Sequence, residues 1–323
     1  MKMRRLGRNG PPVSAIGLGC MRMSNIMGGP QPEPDSDRDR ESVATIEAAL
    51  DAGITLLNTG DFYGMGHNET LIAKAIRRRR DQVFLSVKGG IQRTHTGAIL
   101  GMDGRPNSIK NFVAYSLQRL GVDYIDLYQP ARADPSVPYE ETIGAVADLI
   151  GEGKVRYLGV SEIDADQLRR AHRTYPVTAL EIEYSLASRF IEREMLPVAR
   201  ELGIGVAAYG VVSQGLLAGA MRGGAVDGKL AASFPRFADE NLSKNLETVA
   251  FLERLAESKE STPAQLAIAW VLSRGEDIVP LIGMSRRSRL PESLAALDIV
   301  FRADELNALD KAFAAGAIIG SRS

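Results

Sequence analysis

The sequence predicts an α/β fold, a (β/α)8 TIM barrel that forms a single domain over residues 1–323. Two observations support this fold class: short apolar runs alternate with amphipathic segments, and about eight such pairs follow one another along the chain. Strands that alternate with helices favour a parallel sheet, and eight strand–helix units suit a closed barrel of this length.

The elements follow in order from the hydrophobic pattern. Gly53 and Gly121 stand where helices end, and Thr262, with a proline and a glutamine behind it, stands where one begins. The predicted strands are residues 13–19, 54–58, 82–88, 124–129, 155–161, 177–185, 204–210 and 277–285. The predicted helices are residues 42–53, 68–80, 107–121, 139–153, 164–175, 191–203, 262–275 and 287–297.

A doubly wound sheet is the alternative fold. Its first strand would lead through a glycine-rich turn directly into a helix, whereas prolines at 30, 32 and 34 follow the first run here. Residues 28–40 are polar and rich in proline and glycine, and residues 223–245 separate the seventh strand from the next predicted helix. Both are predicted to be long loops, and the second is either a lid over a ligand or a surface segment.

Composition excludes several classes of function. A net charge of −1 gives no basic field for nucleic acid, and the N-terminus lacks the apolar core of a signal peptide. No uninterrupted apolar run reaches the ~18 residues of a membrane span. Cys20 is the one cysteine and cannot form an internal disulfide, which suits a reducing compartment. We expect a soluble cytoplasmic protein with a small-molecule substrate and no metal site, and the sequence leaves the oligomeric state open.

A barrel places its catalytic groups just after the strands, at the C-terminal face. The stretch LLNTGDFYGMG brings Asn58 and Tyr63 to that face, and the next strand ends in Lys88. A cation within ~4–6 Å lowers the pKa of a phenol, normally about 10, so Tyr63 can then act as a general acid toward a carbonyl oxygen. A snorkelling rim lysine is the alternative for Lys88. The hydride would have to come from a nicotinamide cofactor.

The stretch GMSRRSRLPES after the last strand is the candidate phosphate anchor. Backbone N–H groups at a strand end, together with guanidinium groups, suit a phosphate monoester such as the 2′-phosphate of NADP. NADPH is therefore the expected cofactor, and an ordinary exposed basic helix start is the alternative. The candidate residues are Gly283, Ser285, Arg286, Arg287, Arg289 and Ser293.

Seven stretches, in order, resemble the aldo-keto reductase superfamily over nearly the whole chain. They are GLGCMRMS, ALDAGITLLNTGDFYGMGHNE, QVFLSVKGG, SLQRLGVDYIDLYQPARADP, EGKVRYLGVSEIDADQLRRA, IEYSLASRFIEREMLPVARELGIGVAAYG and PLIGMSRRSRLPESLAALD. The resemblance implies a (β/α)8 barrel, NADPH, reduction of an aldehyde or ketone, and an ordered site of Asp, Tyr, Lys and His. Tyr63 and Lys88 match that site, whereas Asn58 replaces the Asp and Ala131 replaces the His.

These replacements change the expected electrostatics. An amide at position 58 accepts a hydrogen bond from Lys88 but carries no charge. Loss of the anion is expected to lower the pKa of both Tyr63 and Lys88. Asp61 could supply the missing carboxylate, and His67 or Arg132 the missing imidazole. Capping of the following helix by His67 and an outward salt bridge of Arg132 are the alternatives.

The resemblance also implies where the cofactor lies. It implies backbone contacts at the end of the first strand, a carboxamide site after the fifth and sixth strands, and a tyrosine that stacks on the nicotinamide after the seventh. The family usually has amides where this chain has Glu162 and Glu181, and a carboxylate cannot donate to a carboxamide oxygen. The residues concerned are Gly19, Cys20, Met21, Ser161, Glu162, Glu181, Tyr209 and Gly210.

The sequence thus favours an NADPH-dependent reductase of an aldehyde or ketone, with Tyr63 as proton donor, Lys88 beside it, and Asn58 in the same site. A barrel that binds NADP(H) with weak or no catalysis, as a sensor or partner-binding protein, is the main alternative. An unrelated barrel lyase or isomerase is a third hypothesis, which would need neither Tyr63 nor a phosphate anchor.

Overall fold

The computed structural model describes residues 1–25, 31–219, 221 and 228–322, and eight parallel strands in it close into one barrel. The strands of the chain are β1 (Met3–Arg5), β2 (Pro12–Ser14), β3 (Gly17–Gly19), β4 (Leu56–Gly60), β5 (Phe84–Gly89), β6 (Ile91–Arg93), β7 (Ile99–Met102), β8 (Ile125–Pro130), β9 (Val155–Ser161), β10 (Val177–Glu183), β11 (Gly205–Tyr209) and β12 (Ile278–Gly283). Around the barrel the order is β10, β11, β12, β3, β4, β5, β8, β9. The predicted (β/α)8 barrel is confirmed.

The helices of the described chain lie outside the barrel, either between consecutive barrel strands or after the last strand. They are α1 (Asp37–Asp51), α2 (His67–Ile76), α3 (Pro106–Leu120), α4 (Tyr139–Gly151), α5 (Ala165–Thr174), α6 (Met195–Leu202), α7 (Gly228–Ser233), α8 (Asp239–Ser258), α9 (Pro263–Ser273), α10 (Leu290–Ala295) and α11 (Ala303–Ala312). The predicted start of α9 is correct, since Thr262 and Gln265 form a reciprocal capping box. No helix within the described ranges combines the length and apolar character that crossing a bilayer requires.

The two predicted loops are shorter than expected. Ser36 caps α1 by accepting from the Asp39 N–H, so the helix already begins within the 28–40 segment. Within the 223–245 segment, α7, a short 3-10 helix (Pro235–Phe237) and the first part of α8 replace the expected loop. Residues 28–30 and 223–227 of these predictions lie outside the described residues. The sequence did not predict α8, because the glycines and polar residues before it obscured the apolar spacing within the helix.

Two antiparallel hairpins accompany the barrel. Strands β1 and β2 pair next to the start of β3, and β6 and β7 pair after β5. Neither hairpin was predicted, because strands of three or four residues are too short for a reliable period of two.

Alternation along the strands sorts side chains into two cores. One core packs strands against helices. The other fills the lower part of the barrel lumen. Its members are Leu6, Val13, Leu56, Phe84, Leu127, Ala179, Ala207, Val279 and Leu281. The residues two and four positions later along the same strands therefore also point into the lumen, nearer its C-terminal mouth.

Gly89, the last residue of β5, tests how tightly the layer between strands and helices is packed, because it faces away from the lumen into which Lys88 points. A Cβ there would lie 2.2 Å from Tyr128 Oη and 2.9 Å from Asp61 Oδ2. We expect Gly89→Ala to lower the free energy of unfolding by about 1–3 kcal/mol, the usual cost of overpacking a rigid core. The urea unfolding midpoint checks this.

Gly144→Ala is the matched control, because Gly144 lies inside α4 and a Cβ there meets nothing within 4 Å. In a helix interior this change should stabilise the protein by about 0.5–1 kcal/mol. Equal midpoints for Gly89→Ala and the wild type would contradict the packing described here.

Candidate active site at the barrel mouth

A polar layer lies directly above the apolar floor of the lumen. Asn58 follows Leu56 by two residues on β4, and Ser86 and Lys88 follow Phe84 on β5. The paired registers set Asn58 beside Ser86 and Lys88 beside Gln129 of β8. The period of two along each strand thus turns polar residues into the lumen at one level.

One hydrogen-bond network joins this layer. Lys88 Nζ donates to Glu181 Oε1 at 2.7 Å and to Asn58 Oδ1 at 2.9 Å. Asn58 Nδ2 and Gln129 Nε2 both donate to Glu181 Oε2 at 2.6 Å. Ser86 Oγ accepts from the same two amides at 3.2 and 2.9 Å. Lys88 and Glu181 are 5% and 2% exposed, so this is a buried ion pair with amide support on both sides.

Asn58 and Glu181 meet across the barrel, not along it. Strands β10 and β4 are the first and fifth in the closed order of eight and so face each other. The glutamate side chain is long enough to bring its carboxylate to the opposite wall. The contact joins residues 123 apart in sequence, which no local pattern reveals.

The loop after β4 carries Tyr63 and is held by Asn68 of α2. The Asn68 side chain accepts from Thr59 Oγ1 at 2.7 Å and donates to the Cys20 carbonyl at 2.8 Å. The Tyr63 N–H donates to the Gly60 carbonyl at 3.0 Å. These bonds fix the turn that the stretch GDFYGMG forms.

Glycines make this turn possible. Gly64 and Gly66 have φ of 61° and 90°, in the left-handed region that glycine tolerates. A Cβ at Gly66 would also lie 2.5 Å from the Arg119 side chain. Tyr63 is therefore presented by a turn with little freedom.

Tyr63 and Lys88 come together as predicted. Lys88 Nζ lies 5.4 Å from the centroid of the Tyr63 ring, which is 6% exposed. Burial raises the pKa of Tyr63, Lys88 lowers it, Glu181 raises it, and the net direction is upward. The expectation of a lowered pKa was wrong because the phenol is desolvated and because the Glu181 carboxylate lies in the site.

The expectation of a lowered pKa for Lys88 was also wrong, because the Glu181 carboxylate supplies an anion that the sequence did not reveal. Burial alone would lower the pKa of Lys88, but the Glu181 carboxylate and the Tyr63 hydroxyl raise it, and they prevail. Lys88 is thus a charged ammonium at neutral pH. The carboxylate that the sequence seemed to lack at position 58 is supplied by β10.

Two of the three proposed substitutes lie elsewhere. Asp61 makes no ion pair with Lys88 among the described residues; burial first and Glu69 second raise its pKa well above the usual range. The His67 ring contacts Ser24 Oγ at 2.9 Å and Asp39 Oδ2 at 3.3 Å, so it neither caps α2 nor faces Tyr63.

The charge of Arg132 acts on Tyr63, so Arg132 stays a candidate for the role of the missing imidazole. The Arg132 guanidinium donates to the Ala131 carbonyl at 2.7 Å and forms no salt bridge within the described part of the chain, so the alternative of an outward ion pair is not observed. Its charge lowers the pKa of both Tyr63 and Tyr209. Ala131 itself is 1% exposed and offers only a methyl group.

Some predicted cofactor-binding residues face open space or have no partner in the described structure, whereas others already form contacts within the protein. Ser161 Oγ is buried and has no hydrogen-bond partner in the described structure. Gly283 at the end of β12 is exposed, and a Cβ there would meet nothing within 4 Å. By contrast, the Cys20 N–H already donates to the Asn58 carbonyl, and Met21 begins a short 3-10 helix.

Two carboxylates, Glu162 and Glu183, and the phenol of Tyr209 lie close together at the rim beside Ser161. Tyr209 Oη donates to Glu162 Oε1 at 2.8 Å, and Glu162 has a left-handed φ of 51°, unusual for a glutamate. Arg322, near the C-terminus, binds both Glu162 oxygens and lies 3.5 Å from Glu183 Oε2. Burial alone would raise the pKa of Glu162. The ion pair with Arg322 acts in the opposite direction, and the pKa of Glu162 is lowered overall.

The arginines after β12 are not equivalent. Arg287 pairs with Glu41 at 2.9 Å, and Arg289 pairs with Glu292 at 3.1 Å. Arg286 is exposed and forms no salt bridge in the described ranges. Ser293 is buried and donates to the Arg289 carbonyl at 3.0 Å, so its hydroxyl points inward.

Sequence reasoning missed three groups of the site. Gln129 and Ser86 lie two positions after inward-facing Leu127 and Phe84 and could have been found by counting inward positions along β8 and β5. The role of Glu181 as partner of Lys88 and the return of Arg322 to the mouth had no local signal, because both depend on contacts across the barrel.

Comparisons with known proteins agree with this architecture. A profile of the Aldo/keto reductase family matches residues 15–314. Probable aldo-keto reductase 1 of Glycine max is 38% identical over 321 residues, 98% of this chain and 90% of that relative. A glycerol dehydrogenase from Gluconobacter oxydans has a TM-score of 0.88 at 29% identity, covering 97% of this chain and 95% of that one.

A second solved structure is an aldo/keto reductase from Klebsiella pneumoniae in complex with NADP and acetate. It has a TM-score of 0.75 at 27% identity and covers 97% of this chain and 96% of its own. Since the family profile spans nearly all of the barrel described above, this chain belongs to the aldo/keto reductase family and is an oxidoreductase.

Proposed function

We propose that the protein reduces an aldehyde or ketone to an alcohol with NADPH, and that Tyr63 delivers the proton. The observation that carries the proposal is the placement of the buried Tyr63 ring 5.4 Å from the Lys88 ammonium, at the mouth of a parallel barrel. A phenol beside a fixed cation is suited to give its proton to a carbonyl oxygen.

The raised pKa of Tyr63 fits the role of an acid. The phenol is protonated at neutral pH, as a donor must be before the reaction. As the proton leaves, a phenolate forms in a desolvated pocket, and the Lys88 ammonium stabilises it there. The cation thus favours the state after proton transfer more than the state before it, which is what lowers a barrier.

Arg132 replaces the missing imidazole in this proposal. Its guanidinium is exposed, carries no ion pair in the described chain and influences both Tyr63 and Tyr209. Guanidinium N–H groups can donate to the carbonyl oxygen and orient it toward Tyr63. A rim position leaves that charge partly screened by water, so we expect a weaker effect than from a buried donor.

NADPH, when bound, supplies the hydride. Ser161 fits its carboxamide, because a buried hydroxyl without a partner is costly unless a ligand satisfies it. Tyr209 provides a ring beside Ser161, and Arg286 provides an exposed guanidinium, without an ion pair in the described ranges, for a phosphate monoester. The NADP complex of the Klebsiella pneumoniae relative supports the same cofactor.

A binding protein with weak or no catalysis is the second candidate. The observation that favours it is Ala131, which leaves only a methyl group at a buried position of the site. NADPH binding without turnover of any carbonyl compound would establish this candidate.

Tyr63→Phe should reduce kcat with NADPH and an activated aldehyde by about 10²–10⁴-fold, the usual contribution of a positioned general acid. NADPH affinity should stay within about twofold of wild type, because the hydroxyl alone is lost. Initial rates of NADPH oxidation and a fluorescence titration measure the two effects.

Tyr139→Phe is the matched control for this variant. Tyr139 is buried in α4, its hydroxyl has no partner among the described residues, and it lies outside the site. It should leave kcat unchanged. Turnover by Tyr63→Phe equal to that of the wild type would rule out Tyr63 as the proton donor.

Ser161→Ala should weaken NADPH binding about two- to tenfold, which corresponds to one hydrogen bond. The melting temperature without cofactor should not fall, because the hydroxyl has no internal partner to lose. Ser42→Ala is the control: its buried hydroxyl already donates to the Arg38 carbonyl at 2.8 Å within α1, so its loss should leave NADPH binding unchanged. Unaltered NADPH affinity in Ser161→Ala would contradict the carboxamide assignment.

A further inference from the structure

Glu181 holds the centre of the polar layer. Its two carboxylate oxygens accept from Lys88 Nζ at 2.7 Å and from the amides of Asn58 and Gln129 at 2.6 Å each. We propose that Glu181 is the positioning residue that keeps Lys88 charged and aimed at Tyr63. The inference rests on the proposed function for its catalytic consequence, whereas the ion pair itself rests on geometry.

Lys88 needs such a partner because it is buried. An ammonium removed from water is strongly destabilised unless an anion and hydrogen-bond acceptors compensate it. Glu181 is the only carboxylate that forms an ion pair with Lys88 in the part of the chain that the structure describes. An amide at position 58 accepts one hydrogen bond but supplies no charge.

Asn58 and Glu181 suit each other as a pair. Asn58 accepts from Lys88 through Oδ1 and donates to Glu181 through Nδ2, so it links cation and anion. An aspartate at position 58 would set a second carboxylate oxygen where the amide now donates at 2.6 Å. Two carboxylates that close cannot both ionise easily. An acid at one position therefore favours an amide at the other.

This arrangement also revises the expected role of Glu181 in cofactor binding. Both carboxylate oxygens are occupied by N–H donors of the layer, and the side chain points across the lumen toward β4. Recognition of a carboxamide then falls to Ser161, the neighbour of Glu181 in the β9–β10 register, whose hydroxyl has no partner among the residues that the structure describes.

A cycle of variants tests the inference in the full-length protein: Glu181→Gln, Asn58→Asp and the double variant. Glu181→Gln leaves Lys88 among amides, so we expect kcat to fall about 10- to 100-fold, short of the loss of the acid itself. Asn58→Asp alone should also be impaired by the close carboxylates. The double variant restores one acid and one amide, and should recover most of the wild-type kcat.

The pH profile separates positioning from a merely structural role. Lys88 faces Glu181 from β10, Tyr63 from the loop after β4, and Cys20 after β3, while Arg132 acts on Tyr63. With Glu181 neutralised, the ammonium should lose its proton at lower pH, so the alkaline limb of kcat should move to lower pH. The double variant should move it back.

Glu305→Gln is the matched control. Glu305 is a buried glutamate that pairs with Lys259 at 3.0 Å, away from the barrel mouth. Its loss should lower the melting temperature without altering kcat or its pH profile. If Glu181→Gln does not fold, the double variant still tests the proposal, because it retains one carboxylate beside Lys88.

Two results would overturn the inference. One is a Glu181→Gln enzyme with wild-type kcat and tighter NADPH binding, since that would make Glu181 a cofactor contact. The other is a double variant whose loss equals the product of the single losses.

A wild-type protein that reduces no carbonyl compound would defeat the proposed function and leave this inference testable. The titration of Lys88, followed by NMR of isotope-labelled lysine and assigned with Lys88→Met, gives a readout independent of turnover. A Lys88 pKa that falls in Glu181→Gln and recovers in the double variant supports the ion pair. An unchanged Lys88 pKa in Glu181→Gln refutes it.

Discussion

The buried ion pair between Lys88 and Glu181 is the interaction on which the rest of the site depends. It joins β5 to β10 across the lumen at a distance of 2.7 Å, just above an apolar floor that excludes water. In that environment an unpaired charge would be destabilising, and a paired charge with satisfied hydrogen bonds is retained. The amides of Asn58 and Gln129 donate the remaining hydrogen bonds to the Glu181 carboxylate. The position of Tyr63 matters chemically because this fixed cation lies beside its ring.

Burial and charge act on Tyr63 in opposite directions. Desolvation raises the pKa of the phenol, while Lys88 and Arg132 lower it. The balance keeps the proton on Tyr63 in the resting state and leaves a cation in place for the phenolate that forms when the proton departs. The glycine turn at Gly64 and Gly66 holds the ring where this balance applies.

A second pairing of opposite charges lies at the rim of the barrel mouth. Glu162 takes a left-handed conformation and receives hydrogen bonds from Tyr209 and Arg322. The arginine comes from the end of the chain, where Ile319 is tied to Asn245 of α8 by bonds of 2.7 and 2.9 Å. The carboxylate beside Ser161 is thereby neutralised by a residue distant in sequence, in the same way that Glu181 is matched to Lys88.

The sequence by itself determined the barrel, its eight strands with most of the helices between them, and the pairing of Tyr63 with Lys88, but not the two hairpins or the helices α7, α8 and α11. These follow from hydrophobic periodicity, from turn and capping residues and from family motifs, all of which are local along the chain. Inward alternation could also have predicted a polar layer at Asn58, Ser86 and Lys88. The tertiary structure alone decided that Glu181 supplies the anion for Lys88, that Arg322 meets Glu162, and that His67 turns away toward Asp39. Closure of the sheet brings the first and fifth strands of its order face to face, and such contacts depend on the whole barrel rather than on any segment of it.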